Sequence, residues 1–422
     1  MKSIKLSRNN EWLYAENLQN LLSVLSEDGE EARVVGGAVR NSLLGKPIAD
    51  IDIATTLSPD AIIRRATAAG FHAVPTGVAF GTVTVVADGQ PFEVTTLRAD
   101  IETDGRHAKV AFGRDWQIDA NRRDFTINAL YVDACANIYD YVEGLQDIET
   151  ATLRFIGKAE DRIKEDYLRI LRFFRFFAWY GDGRPDAEGL KAAAKLKQGL
   201  NQLSAERVWH EVKKLLCAAD PSRALLWMRQ TGVLAEILPE TEKWGIDAIH
   251  SLVETERLFN WDIDPLLRLE SLVPPDEERC NRLASRFKLT NKDKRRLKEW
   301  AKVAPVTLEM HCRQLKIQLY RIGREAIIDT LKLQLAKARQ NANMSAHELE
   351  KSVHYSELLT FAESWIVPEF PVNGRDLLAL GFDGNHVLGD KLQELEDLWV
   401  QSGFQQTREQ LLHILRQQIK EQ

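Results

Sequence analysis

Gly36-Gly37-Ala38-Val39-Arg40 leads on to Asp50-Ile51-Asp52-Ile53-Ala54-Thr55. Glycines that open a helix let the backbone approach a phosphate, and the helix end supplies unpaired N–H groups. Arg40, one turn in, adds a charge. In a strand, residues i and i+2 share a face, so Asp50 and Asp52 are expected to point together. Like charges that close are costly unless a cation shares them. Mg²⁺ takes one or two carboxylates together with substrate phosphates. The residues alone also allow a tight turn, a surface arginine and two solvated acids on an edge strand. Ile51 and Ile53 favour a core strand. Glu93, beside Val94 on a later strand, is either a hairpin edge charge or a third acid. Three carboxylates on adjacent strands suit two-metal phosphoryl or nucleotidyl transfer.

Working outward, Leu18, Leu21, Leu22 and Leu25 recur at helical spacing within Trp12 to Leu25. Arg33-Val34-Val35 reads as a short strand entering Gly36. Val39 to Leu44 reads as a helix ended by Gly45 and Pro47. Asp50 to Thr55 is the next strand, and Ser58 caps a helix beginning at Pro59. Val83–Val86 and Phe92–Leu97 alternate around Asp88-Gly89, a hairpin signal. Ala99 to Phe112 is polar and reads as a mobile loop. Past Gly157 the strand signals largely stop. Ala159 to Tyr180 is a long helical pattern, followed by helical stretches at Leu190–Lys197, Ala205–Ala218 and Pro221–Thr231. The remainder is leucine-rich, charged and helical in texture, without exact repeats or low-complexity segments.

With 422 residues the chain is expected to form three or four parts. A net charge of −6 excludes a surface that attracts nucleic acid everywhere, so a polyanion site must be a local patch. The sequence from Arg286 to Lys298 offers one, and reads equally as a solvated helix face. Cys135, Cys217, Cys280 and Cys312 are widely spaced, against a disulfide scaffold or a cysteine zinc site and in keeping with a reducing cytoplasm. Met1 to Asn10 lacks the apolar core of a signal peptide. No apolar run is long enough to span a bilayer, and no protein partner is expected.

Two further clusters carry chemistry. In Arg122-Arg123-Asp124-Phe125-Thr126-Ile127-Asn128-Ala129-Leu130 the arginines can meet phosphates bidentately. Asp124 can accept a ribose hydroxyl, or simply cap a helix over buried Ile127 and Leu130. In Glu165-Asp166-Tyr167-Leu168-Arg169-Ile170-Leu171-Arg172-Phe173-Phe174-Arg175-Phe176, a helix sets Asp166 and Arg169 one turn apart, with Arg172 and Arg175 continuing the row. A salt-bridged amphipathic helix is the plain alternative. Three arginines with a single local acid exceed what stability needs, and an adjacent acceptor and donor can read a base edge. His210, after Trp209, reads as packing or surface rather than a metal ligand.

In this order and spacing, the motifs resemble class II tRNA nucleotidyltransferases, the CCA-adding enzymes, kin of bacterial poly(A) polymerases. The resemblance extends to Asp104-Gly105-Arg106-His107-Ala108, Asp140-Tyr141-Val142-Glu143-Gly144 and Glu206-Arg207-Val208-Trp209, and is dense from about residue 33 to 240. Beyond that only Pro371-Val372-Asn373-Gly374 to Trp399 resembles the family's tail. Asn41 stands where the family usually has an acid, and Gly384-Asn385-His386-Val387-Leu388-Gly389 where it tends to have Gly-Pro.

The resemblance implies an α+β protein: a polymerase-β-like nucleotidyltransferase head at 1–150 and an all-helical neck, body and tail. The neck at 151–240 would carry the base-recognition helix, with the body at 241–370 and a tRNA-contacting tail at 371–422. Asp50 and Asp52 would bind Mg²⁺, and Glu93 would help activate the tRNA 3′-hydroxyl. Gly37, Arg40 and Arg123 would contact the triphosphate and Asp124 the ribose. Asp166 and Arg169 would read the base of CTP and then ATP, with Glu165 orienting Arg169 and Arg172 and Arg175 assisting. The segment from Ala99 to Phe112 would be the flexible element of the switch from C to A. The implied activity is template-independent addition of C, C and A to tRNA. A poly(A) polymerase is the nearest alternative, set aside for want of a long basic C-terminal extension. A CC-only or A-only enzyme is a second, and a catalytically dead RNA-binding protein a third, against which the three carboxylates Asp50, Asp52 and Glu93 argue.

Overall fold

Strand β1 (Ala32–Val35) ends at Gly36, whose φ of +76° turns the chain off the sheet into helix α2 (Gly37–Leu43), behind α1 (Glu16–Leu25) in sequence. That backbone conformation is open to glycine at no steric cost. Described by the computed structural model are residues 4–104, 107–241, 246–341, 345–382 and 385–420. The chain divides into two compact units, Met1–Pro239 and Glu240–Gln422.

In the first unit, β2 (Asp52–Thr55), α3 (Pro59–Ala68), β3 (His72–Gly77), β4 (Thr82–Ala87) and β5 (Gln90–Thr96) follow in turn. Ser58 caps α3, accepting from the Ala61 N–H, with Pro59 at its first position. Asp88 and Gly89, at φ +50° and +80°, make the β4–β5 turn that matches strand twist. A ribbon, β6 (Arg98–Asp104) and β7 (His107–Phe112), precedes α4 (Trp116–Asn121), β8 (Leu130–Val132), β9 (Ile138–Asp140) and α5 (Gly144–Glu149). The seven-stranded sheet has the order β3-β4-β5-β2-β1-β8-β9, and β2–β5 is its parallel pair. One face packs on α1 and α3 through Leu18, Leu22, Ile53, Ile62, Phe92 and Val94. On the other lie Ala54, Leu97, Trp116 and Tyr131.

Helices then take over: α6 (Ala159–Glu165), α7 (Leu168–Tyr180), α8 (Ala187–Leu196), α9 (Ala205–Leu216), α10 (Ser222–Gln230) and α11 (Val233–Ile237). Phe173, Phe174, Phe176 and Phe177 bury one side of α7.

The second unit consists of α12 (Asp247–Phe259), α13 (Pro265–Leu272), α14 (Glu277–Arg286), α15 (Asn291–Trp300), α16 (Cys312–Arg321), α17 (Arg324–Asn341), α18 (Ala346–Ser364), α19 (Gly374–Leu378), α20 (Asn385–Gln401) and α21 (Arg408–Lys420). Its C-terminal core gathers Val372, Leu377, Leu395, Trp399, Leu411 and Leu415. This unit also buries charged groups. Arg268 pairs with Glu256 at 2.6 Å, both nearly inaccessible. Arg296 holds Asp329 at 2.7 and 2.8 Å and Asp264 at 2.6 Å. Glu270 is 1% exposed, and neither carboxylate oxygen has a hydrogen-bond partner among the described residues.

Four expectations need correction. The second strand begins at Asp52, not Asp50, because pairing to β1 and β5 starts there. The first glycine-led helix spans Gly37–Leu43. The polar stretch from Ala99 to Phe112 belongs to the paired ribbon β6–β7, with Gly105 and Arg106 outside the described residues. The pattern from Ala159 to Tyr180 is two helices, broken where Asp166 turns extended at φ −154°, ψ 108°. Part of the basic stretch from Arg286 to Lys298 turns inward or pairs: Arg296 onto Asp329, Arg286 onto Glu240 and Lys298 onto Glu277. Lys292, Lys294 and Arg295 remain exposed, as does His210. Of the glycine-bearing stretch after Asp383, Gly384 is outside the described residues. No helix among the described residues is long and apolar enough to cross a membrane.

Candidate active site

The parallel register sets Asp52 beside Glu93. Strand alternation turns both away from the buried Ile53, Phe92 and Val94. Asp50, in the irregular segment just before β2, remains close enough for its charge to act on Asp52. Asp52 reaches solvent yet is crowded by protein. Burial and repulsion from Glu93 push its carboxyl above the ordinary value, Asp50 adds to the rise, and Arg123 opposes it.

Among the described residues, no three histidine, cysteine or acid side chains converge tightly enough to hold a metal unaided. The donor set still fits a hard cation that brings other oxygens with it. Mg²⁺ needs only one or two carboxylates when phosphates and water complete its shell. Crowded carboxylates that raise one another's proton affinity are what such an ion relieves.

Arg40 is buried in α2. Its Nε and Nη2 donate to Asn41 Oδ1 at 3.1 and 2.9 Å, Nη2 also donates to the Tyr180 hydroxyl at 2.8 Å, and Nη1 donates to Asn128 Oδ1. The guanidinium stacks on the Tyr180 ring, 4.1 Å from its centroid. This ties the glycine turn to the far end of α7. Gly36 N–H is itself held by the Leu130 carbonyl at 3.1 Å.

Arg122 and Arg123 share one carboxylate, Asp119. Arg122 Nη2 lies 2.7 Å from its Oδ1, Arg123 Nη2 lies 3.0 Å from its Oδ2, and the Tyr131 hydroxyl donates to Oδ2 at 2.8 Å. Burial alone would raise the Asp119 carboxyl, but Arg123 and then Arg122 outweigh it and hold it below the carboxylate range. Sequence reading missed Asp119, although its spacing of three and four to the two arginines is a recognisable helical pair. Asp124 is buried, and its oxygens accept from Phe125 N–H, Asn128 and Arg172. Both of its oxygens thus accept from donors of the protein itself.

Gly144 packs against the same loop: a Cβ there would meet the Thr126 carbonyl oxygen at 2.4 Å. Asp140 secures that turn, accepting from the Val142, Gly144 and Leu145 N–H groups. The Asp140–Gly144 motif is thus explained by packing.

At the break between α6 and α7, Asp166 Oδ1 accepts from the Leu168 N–H at 3.0 Å, and Oδ2 pairs with Arg207 at 2.6 Å. Asp166 therefore starts the second helix instead of sharing a continuous helix with Arg169. Glu165 holds Arg169 at 2.5 Å, and Arg169 also donates to the Arg162 carbonyl at 2.9 Å. Glu211, buried on α9, takes Arg175 at 2.5 Å and lies 3.9 Å from Arg172. The arginine row expected to have one local acid is matched by acids from three elements. Arg207 and Glu211 were not among the expected site residues.

Paired acids on neighbouring strands of this mixed sheet, followed by an arginine-lined helical segment, define a nucleotidyltransferase. Residues 32–154 match the family described as the Poly A polymerase head domain, and residues 184–244 the one described as a probable RNA and SrmB-binding site of polymerase A. The chain is 32% identical over 421 residues to the mitochondrial CCA tRNA nucleotidyltransferase 1 of Homo sapiens, spanning 96% of this chain and 91% of that protein. With the CCA-adding enzyme of Bacillus subtilis it shares 32% identity over 371 residues, 85% of this chain and 87% of that one. The crystal structure of the Bacillus stearothermophilus CCA-adding enzyme in complex with CTP superposes with a TM-score of 0.71 at 26% identity, covering 96% of this chain and 97% of that one. The chain belongs to the CCA tRNA nucleotidyltransferase family.

Proposed function

We propose that this protein adds C, C and A to the 3′ end of tRNA without a nucleic-acid template, transferring nucleotidyl groups from CTP and ATP. The observation that carries the reading is the Asp52–Glu93 pairing on β2 and β5, in a chain aligned nearly end to end with CCA-adding relatives.

In this reading Asp50 and Asp52 hold Mg²⁺, and Glu93 accepts or directs the proton of the tRNA 3′-hydroxyl. Bound there, the ion would polarise the nucleotide phosphates and ease deprotonation of the hydroxyl. Gly37, Arg40 and Arg123 face the triphosphate. Asp124 contacts the ribose, and Asp166 and Arg169 read the base. The 2.5 Å Glu165–Arg169 pair supports Glu165 as the group that orients Arg169. Arg172 and Arg175 serve as a braced row behind that edge. The same reading assigns a head at 1–150, neck at 151–240, body at 241–370 and tail at 371–422, with tRNA along the tail. It places the protein in the cytoplasm, consistent with exposed thiols at Cys135 and Cys312.

The direct test offers tRNA lacking its CCA end with CTP, ATP, both, or UTP, in the presence of Mg²⁺. CTP alone should add two residues, and both nucleotides should complete the end. Absence of CMP incorporation would sink the reading. Long adenosine tails from ATP alone would move the chain to the poly(A) polymerases.

A further inference from the structure

Arg40 and Asp124, the triphosphate and ribose residues of the reading above, are joined by one side chain. Asn128 closes the short helical turn Thr126–Asn128 and is 8% exposed. Its Oδ1 accepts from Arg40 Nη1, and its Nδ2 donates to Asp124 Oδ1 at 3.1 Å. Its backbone is fixed as well. The N–H donates to the Phe125 carbonyl at 3.0 Å, and a Cβ on Gly36 would stand 3.6 Å from its carbonyl oxygen.

Charge dictates the orientation of this amide. A guanidinium offers only donors and an ionised carboxylate only acceptors. A side chain between them must accept at one end and donate at the other, as asparagine does. The reverse orientation would set NH₂ against the guanidinium and oxygen against the carboxylate. The negative charge of Asp124 also reaches Arg40. Beyond Asp124 the polar chain continues, since Oδ2 accepts from Arg172 Nε at 2.7 Å. Arg40, Asn128, Asp124 and Arg172 thus run without a gap from the glycine turn to α7. A buried network is rigid when each member is satisfied. With Asn128 and the Phe125 N–H on Oδ1 and Arg172 on Oδ2, the Asp124 carboxylate is held against rotation.

We infer that Asn128 is a positioning residue that fixes the Asp124 carboxylate relative to Arg40 and thereby sets the preference for ribose over deoxyribose in the incoming nucleotide. This rests on the reading of Asp124 as the ribose contact. Without the Asn128 donor the carboxylate can turn about its bond to Arg172, and a 2′-hydroxyl no longer meets it in one place. Arg40 loses only one of its bonds, because Asn41 and Tyr180 still hold it. The sugar preference should therefore suffer more than the grip on phosphate.

The test measures binding of CTP, dCTP and inorganic tripolyphosphate to the full chain at pH 8 in Mg²⁺, with thermal melts as a folding control. Asn128→Asp keeps the shape and the acceptor for Arg40 but cannot donate to Asp124 and faces it with a like charge. Asn128→Leu removes both bonds. Each should cut the preference for CTP over dCTP about tenfold, the worth of one hydrogen bond to a charged group. In Asn128→Leu, tripolyphosphate affinity should stay within about threefold, as expected for loss of one of several bonds to Arg40. An unchanged preference in Asn128→Asp, or equal losses for all three ligands in Asn128→Leu, would overturn the inference. If Asn128→Asp fails to fold, an unchanged preference in Asn128→Leu overturns it alone. Asp124→Asn separates the two levels. If it abolishes the sugar preference while the Asn128 variants retain it, only the role of Asn128 falls. If it leaves the preference intact, the ribose reading of Asp124 falls and this inference with it. None of these measurements uses tRNA, so failure to add CCA would count against the proposed function alone.

Discussion

Arg172 Nε lies 2.7 Å from Asp124 Oδ2, joining the arginine row of α7 to the Arg-Arg-Asp segment. Burial would raise the Asp124 carboxyl, but Arg172 outweighs it and holds the group low. A depressed carboxylate contributes stability above its ordinary pKa, and that contribution is lost as pH falls through the folded value. Arg172→Ala strands a buried charge and should cost about 3 kcal/mol near neutral pH. The penalty should shrink in acid as Asp124 takes a proton. Urea melts at pH 7 and at low pH measure both, and a pH-independent cost would contradict the pairing.

Asp52 and Glu93 make a different prediction. Asp52→Ala removes the best-placed carboxylate while leaving the sheet's apolar face untouched. Incorporation should fall at least about a hundredfold, in line with loss of a key electrostatic group. tRNA affinity, measured by filter binding, should hold. Chelation with EDTA should stop the wild-type reaction, and added Mg²⁺ should restore it.

Arg207 tests the role of Asp166 without touching a proposed substrate contact. Arg207→Ala frees Asp Oδ2 but leaves the Leu168 N–H bond to Oδ1. Discrimination between CTP and ATP against UTP should weaken by roughly tenfold, the scale of one misplaced polar contact. Arg207→Lys should recover part of it. Misincorporation counted by sequencing the extended tRNA ends gives the answer, and unchanged selectivity would remove Arg207 from the positioning role.

Glu270 concerns the second unit alone. Burial and then the neighbouring Asp329 charge drive its carboxyl well above the usual value, with Arg296 only partly opposing. The folded state therefore binds a proton that the unfolded chain releases. Its stabilising contribution is full below the ordinary carboxylate pKa of 4.5 and is lost as pH rises through the raised folded value. Glu270→Gln keeps the shape without the charge and should stabilise the protein by about 1–3 kcal/mol at pH 8. The gain should dwindle towards pH 5. Paired thermal melts at the two pH values would expose an error in the sign.

What the sequence disclosed followed from short-range geometry. Asp88-Gly89 announced its turn, Ser58-Pro59 its helix start, and the alternation around Glu93 its exposed face. The fold class followed from strand signals fading after Gly157. Long-range pairing was hidden. The i+3 and i+4 spacing of Arg122 and Arg123 marks Asp119 locally as a partner for them, but not its burial, which depends on Tyr131 from another element. Glu211 is silent for the same reason: its partners sit on α7. The break at Asp166 escaped because the apolar spacing continues across it, while the bond to Arg207 that holds it extended is tertiary. The ribbon β6–β7 escaped because its composition is polar, whereas strand pairing needs only backbone groups.

The parallel pairing of β2 with β5 also bears on the protein's synthesis. Parallel neighbours need a crossover, and here α3, β3 and β4 lie between them in sequence. A nascent chain that has emerged only through Ala87 carries Asp50 and Asp52 but lacks the strand bearing Glu93. Its acids have no third member, and β2 has no neighbour on that side. The side-by-side placement of Asp52 and Glu93 thus arises only when the hairpin's second strand docks against β2.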